Sequence, residues 1–188
     1  MSSWIAPLTK RFAFVALLLS IFPTLEAQAT TDSVAINKLL GQVKIHSTLA
    51  VDDAATLDSY ARSPTISWQS HSGKLRAIKE HVNDLIEDCN QMSSLRGEGS
   101  AWQQETIDRI NPLLHEIADH LTATVEHLKG NPDQTLMQAY RDYVHTNFEL
   151  IDNTQKLISD FSSYSRSKDK AQTLEQKLEL PTVAGERQ

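Results

Sequence analysis

Four stretches of this chain place apolar side chains at alternating intervals of three and four residues, and that spacing leaves little room for anything but α-helix. In a helix such positions return to one face, whereas a strand would alternate every second residue. The first stripe holds Ile36, Leu39, Val43, His46, Ala50, Ala54, Leu57 and Ala61, and Ser63-Pro64 stops it, because proline pushes the preceding residue out of the α region. Gly41 and its polar neighbours predict a looser segment before His46. The second stripe runs Trp68, His71, Leu75, Ile78, Val82, Leu85, Cys89 and Met92 without a miss, and Gly97 and Gly99 then supply backbone freedom for a turn.

Ser100 followed by Gln103 reads as a capping box that opens a third helix. Its stripe is Ile107, Ile110, Leu114, Ile117, Leu121, Val125 and Leu128, with Gly130 expected just past its end. Pro112 lies inside and is expected to kink the rod without breaking it, since the stripe stays in phase on both sides. Asn131-Pro132-Asp133-Gln134 reads as the immediate start of a fourth helix, with Asn131 as its N-cap. Its expected stripe is Leu136, Tyr140, Val144, Phe148, Ile151, Leu157 or Ile158, and Phe161. Four rods of about 30 residues would each span roughly 45 Å. Short connections between equal rods predict an all-α, antiparallel up-down-up-down four-helix bundle over residues 30–165, packed in the manner of a coiled coil. Residues 166–188 are charged and are expected to form a helical extension or a flexible tail.

Ahead of the bundle, Lys10 and Arg11, the apolar run Phe12 to Ile21 and the small residues of Ala27-Gln28-Ala29 form the tripartite pattern of a cleavable secretory signal over 1–29. The apolar run is well short of the roughly 20 residues a bilayer span needs, so no integral span is expected after cleavage. The expected location is therefore exported, periplasmic or secreted. The chain carries 24 acidic against 18 basic residues, and no Lys/Arg cluster offers phosphate contacts, which argues against nucleic acid. The single cysteine, Cys89, excludes an internal disulfide, so stability has to come from the core.

Seven histidines in such a bundle raise the question of a metal or haem site, because bundle cores hold cofactors between facing helices. Folding the chain back at its turns puts His46, His81, His115 and His145 at similar heights. Direction is the other requirement, and at 100° per residue His81 points roughly 80° away from its stripe, while His115 and His145 point toward water. Only His46 and His71 fall on core stripes, where an imidazole needs a hydrogen-bond partner and a nearby Ser or Thr is the expected one. His120 and His127 flank the third stripe with Thr124 between them. The metal-ligand candidates are therefore His46, His71, His81, His120 and His127. Signatures for covalent haem, a di-iron centre or a zinc protease are missing, and no nucleophile elbow surrounds any serine. Cys89 reads as a small buried hydrophobe, and Trp68 and Trp102 as plugs at opposite ends of the core.

The segments Leu57-Asp-Ser-Tyr-Ala-Arg-Ser-Pro64, Ser67-Trp68-Gln-Ser-His71, Ile78-Lys-Glu-His81 and Ala101-Trp102 through Pro112-Leu-Leu resemble a set of uncharacterised secreted helical proteins of acidobacteria. The resemblance implies an exported helical domain and brings no activity or catalytic residue with it. The expected function is that of a non-enzymatic exported bundle without a cofactor, acting through protein or cell-envelope contacts, with a protein partner or a second copy as its counterpart. The alternative is a periplasmic carrier or sensor that uses its histidines for a metal or a small ligand.

Overall fold

The computed structural model of the chain describes residues 31–179. The expected signal segment at 1–29, its cleavage site and the end of the tail at 180–188 lie outside the described residues. Four α-helices account for nearly all of the rest: α1 (Val34–Tyr60), α2 (Trp68–Ser94), α3 (Ala101–Gly130) and α4 (Gln138–Lys177). Among the described residues there is no strand, and no helix is long and apolar enough to cross a membrane.

Local chemistry sets the helix starts. The Ser33 hydroxyl accepts from the Ile36 amide, and the Ser67 hydroxyl does the same for Ser70, each satisfying a first-turn donor. At α3 the Ser100 amide donates to Gln103 Oε1 at 3.0 Å, the reciprocal half of the expected capping box. The turn before it carries a short 3-10 segment, Arg96–Glu98. At Gly99 the backbone is extended, and an added Cβ would come 2.8 Å from Ile36 Cδ1, so the buried Ile36 side chain would have to shift.

The helices form a ring in which α1 touches α2 and α4, and α3 touches the same two. At three interfaces the cross-helix pairs descend on one helix as they ascend on its neighbour: Asp53 with Lys74 and His46 with Asp88, Asp58 with His145 and Asp32 with Lys168, and Arg109 with Phe161 and Thr124 with Asn147. Inside the ring sits one core, built from Ile36, Leu40, Val43, Leu57, Leu75, Ile78, Ile107, Ile110, Leu114, Ile117 and Ile158 among others.

Several expectations are corrected. α1 is continuous through Gly41. Ser47 takes the buried place expected for His46, which the hydroxyl can do because it donates to the Lys44 carbonyl at 2.9 Å. Trp68 does not plug the core; it is 43% exposed. α3 is unbroken at Pro112, as its in-phase stripe predicts, but it includes Gly130, and the capping falls to Asn131, whose backbone and side-chain amides both donate to the His127 carbonyl. Pro132–Gln134 forms a 3-10 turn, so α4 opens only at Gln138 and Leu136 stays outside. In α4 the buried row is Tyr140, Val144, Asn147, Ile151, Thr154, Ile158, Ser162 and Ser165, with Phe148 and Phe161 pushed to its flank. The charged stretch after 165 continues α4 helically to Lys177.

Gln103 is fully buried and joins α3 to the start of α1: its Oε1 accepts from the Ser33 amide at 2.8 Å, and its Nε2 donates to the Ser33 carbonyl at 3.0 Å and to Asn37 Oδ1 at 2.9 Å. Gln103→Leu leaves these groups orphaned, at a cost of about 2–3 kcal/mol. Urea unfolding is expected to show that loss with an unchanged m-value, and a variant within 0.5 kcal/mol of wild type would refute the hub role.

Candidate functional site

The densest gathering of chemistry lies at the end of the bundle where α1 hands over to α2 and α3 to α4, and all four helices contribute to it. His71, fully buried on α2, packs edge-on to Tyr60 of α1 at 5.8 Å between ring centroids and to Tyr140 of α4 at 5.4 Å. His127 of α3 stacks on Tyr140 at 6.1 Å and tilts against Tyr143 at 5.0 Å. His71 Nδ1 lies 3.1 Å from the Tyr140 hydroxyl. Its partner is therefore a phenol, not the serine or threonine expected. His71 Nε2 has no protein partner among the described residues. Burial disfavours charge on both groups, lowering the His71 pKa and raising that of Tyr140.

The other histidines go elsewhere. His46 Nδ1 meets Asp88 Oδ2 at 3.0 Å, on the rim between α1 and α2. Asp88 is a buried carboxylate the sequence reading passed over; burial raises its pKa, and His46 opposes that rise. His81 lies 3.5 Å from Asp53, a carboxylate already held by Lys74. His120 and His127 bracket Thr124 as expected, and Thr124 donates to the His120 carbonyl while accepting from Asn147 Nδ2 at 2.6 Å. His115 and His145 are exposed. His46 and His81 thus meet different carboxylates, His71 and His127 share Tyr140, and among the described residues no three His, Cys, Asp or Glu side chains come together as a metal set. Cys89 is buried, and burial, reinforced by Asp88, pushes its thiol up to about 12.

Two surface features complete the inventory. At the far end Asp32 accepts from Trp102 Nε1 at 2.7 Å and from Lys168 Nζ at 2.9 Å, and Trp102 packs against Tyr164. Burial opposes ionisation of Asp32, but the hydrogen bonds from Ser100, Lys168 and Trp102 outweigh it, so its pKa is lowered. Between α2 and α3 runs an open groove of about 400 Å³ walled by Trp68, Ser72, Leu75, Val125, Leu128 and Pro132, with Arg76, Lys79 and Lys129 on its rim. It continues as a second depression past Val82, Ala118 and Leu121 that shares Lys79, Val125 and Lys129. None of the three cations has an ion-pair partner among the described residues. No family model, curated protein or solved structure matches this chain.

Because the folded His71 pKa lies below the unfolded value of about 6.5, the linked stability is fully present above pH 6.5 and is lost as pH falls toward the folded pKa. Unfolding free energies from urea titration are expected to fall as pH drops below about 6.5, by up to about 1.4 kcal/mol per pH unit. His71→Phe should flatten the slope, and an equal slope in that variant would place the titration elsewhere. For Cys89, iodoacetamide at pH 8 is expected to leave the folded protein unmodified and to alkylate it fully in guanidinium. Rapid native alkylation would contradict the burial described.

Proposed function

We propose that the protein is an exported, non-enzymatic helical bundle that works by contact with a component of the cell envelope, through the face formed by α2 and α3. The observation that carries this reading is the groove on that face, where apolar walls and unpaired cations meet in a chain that is acidic overall. Water gains little from apolar walls, and lone cations on an acidic protein offer specific attraction to an anionic counterpart. The same end of the molecule exposes further apolar surface, since the loop that carries Pro132 also carries Leu136 and Met137, 44% and 57% exposed. Export rests on the tripartite segment at 1–29, which places the groove in the compartment where envelope components are found.

Photo-crosslinking in intact cells tests both halves of the reading. With benzoylphenylalanine in place of Ser72 or Thr122, on the α2–α3 face, adducts to an envelope component are expected. In place of Thr48 or Glu149, exposed on α1 and α4, none is expected. The recovered chain should begin after Ala29. Equal labelling from all four positions, or an unprocessed chain retained in the cytoplasm, would overturn the proposal.

A further inference from the structure

The groove has a chemical polarity along its length that narrows what it can hold. Its wall is two facing rows at helical spacing, Ser72, Arg76, Lys79 and Asn83 on α2 against Ala118, Thr122, Val125 and Lys129 on α3. Small side chains in these rows cannot fill the seam, and the long ones keep their charged heads in water. The floor is apolar, formed by the buried Leu75 and Leu128 with Val125 beside them, and Trp68 and Pro132 close it at one end. Lys79 and Lys129 stand at the junction of the two depressions, and Arg76 stands on the rim of the first. Elsewhere on α2, by contrast, Lys74 is held by Asp53 at 2.8 Å. The groove from Trp68 to Asn83 follows α2 for about 22 Å. Glu126 lines the second depression only, so the anionic side chain lies away from the apolar end.

We infer that this groove binds a free apolar carboxylate of the medium-chain fatty acid type, its head between Lys79 and Lys129 and its chain lying over Leu75 and Leu128 beneath Trp68. The inference rests on the contact reading given above and names the counterpart. Charge complementarity selects the head: three unpaired cations favour one anionic group, and a cationic or neutral head meets either repulsion or nothing. The apolar floor selects the tail, since burying methylene groups there removes both partners from water. A volume of about 400 Å³ falls within the range of pockets that hold small molecules.

Calorimetric titration of the purified protein with dodecanoate, kept below its micelle concentration, is expected to give one site per chain. Dodecyltrimethylammonium and dodecyl maltoside are expected not to bind. The double charge reversal Lys79→Glu/Lys129→Glu should weaken dodecanoate roughly tenfold, the scale set by exposed charge pairs. Lys38→Glu/Lys44→Glu, on α1, should leave binding unchanged, and matched thermal midpoints establish that both variants fold. Trp68→Ala is expected to weaken the tail contact without altering the preference for an anionic head. Binding that survives the charge reversal, equal binding of the cationic detergent, or attachment to phosphatidylglycerol vesicles with no binding of monomeric dodecanoate would each overturn the inference. Crosslinking from Ser72 and Thr122 that persists while dodecanoate fails would leave the contact reading standing and defeat this one alone.

Discussion

Polar side chains on the buried seams are the constraint that the rest of the structure obeys. Apolar contacts between helices tolerate a slide of one turn at modest loss, because one leucine packs much like another. A buried amide or imidazole does not, since leaving it unpaired costs more than most packing rearrangements. Gln103 ties the start of α3 to the start of α1, Asn147 ties α4 to Thr124 of α3, and His71 ties α2 to Tyr140 of α4. These bonds fix the heights of the four rods relative to one another. The buried threonines solve their problem locally: Thr106, Thr124 and Thr154 each donate to the carbonyl four residues back. Thr106 and Thr154 can therefore sit on a seam without dictating register, while Thr124 also accepts from Asn147 and takes part in setting it.

Much of the architecture was legible because helical period is a property of local sequence. The stripe of α2 is reproduced nearly residue for residue, with Trp68 as its one departure, and the core of α3 follows its expected row, with Val125 only partly buried. What local pattern cannot supply is which of two adjacent rows faces inward when both carry acceptable residues. In α4 the aromatic row of Phe148 and Phe161 looked the better core, yet the buried row is the one that carries Asn147 and Ser162. Asn147 is the reason: turned inward it meets Thr124, and that bond is available only from the row that faces α3. The same ambiguity explains His46 and Ser47 on α1, where the carboxylate of Asp88 draws the imidazole to the rim and the serine satisfies itself against its own helix. The start of α4 was misplaced for a different cause. Asn-Pro-Asp-Gln has the chemistry of a helix start, and it forms a single 3-10 turn because Asn131 is already committed to capping α3.

The candidate site was less legible than the fold. Residue type alone pointed to histidines, and the structure distributes them among carboxylates, aromatic rings and solvent. Arg76, Lys79 and Lys129 drew no notice because each is an ordinary helix-surface residue until α2 and α3 are placed side by side. The signal was present in the flanking rows, Ser72, Arg76, Lys79 and Asn83 on α2 and Ala118, Thr122, Val125 and Lys129 on α3, which hold small residues and long cations and few bulky apolar ones.

Charge placement then separates the two flanks of α2. On the side toward α1, Asp53 pairs with Lys74 and lies near His81, and Asp88 meets His46. On the side toward α3 the acidic majority of the chain is not used, although Glu126 lines the same depression as Lys79 and Lys129. An isolated surface pair would contribute well under 1 kcal/mol, so leaving those cations free costs the fold little. It also keeps them available. A bundle of this kind works through its seams, and the α2–α3 seam gathers three cations without an ion-pair partner among the described residues around an apolar floor.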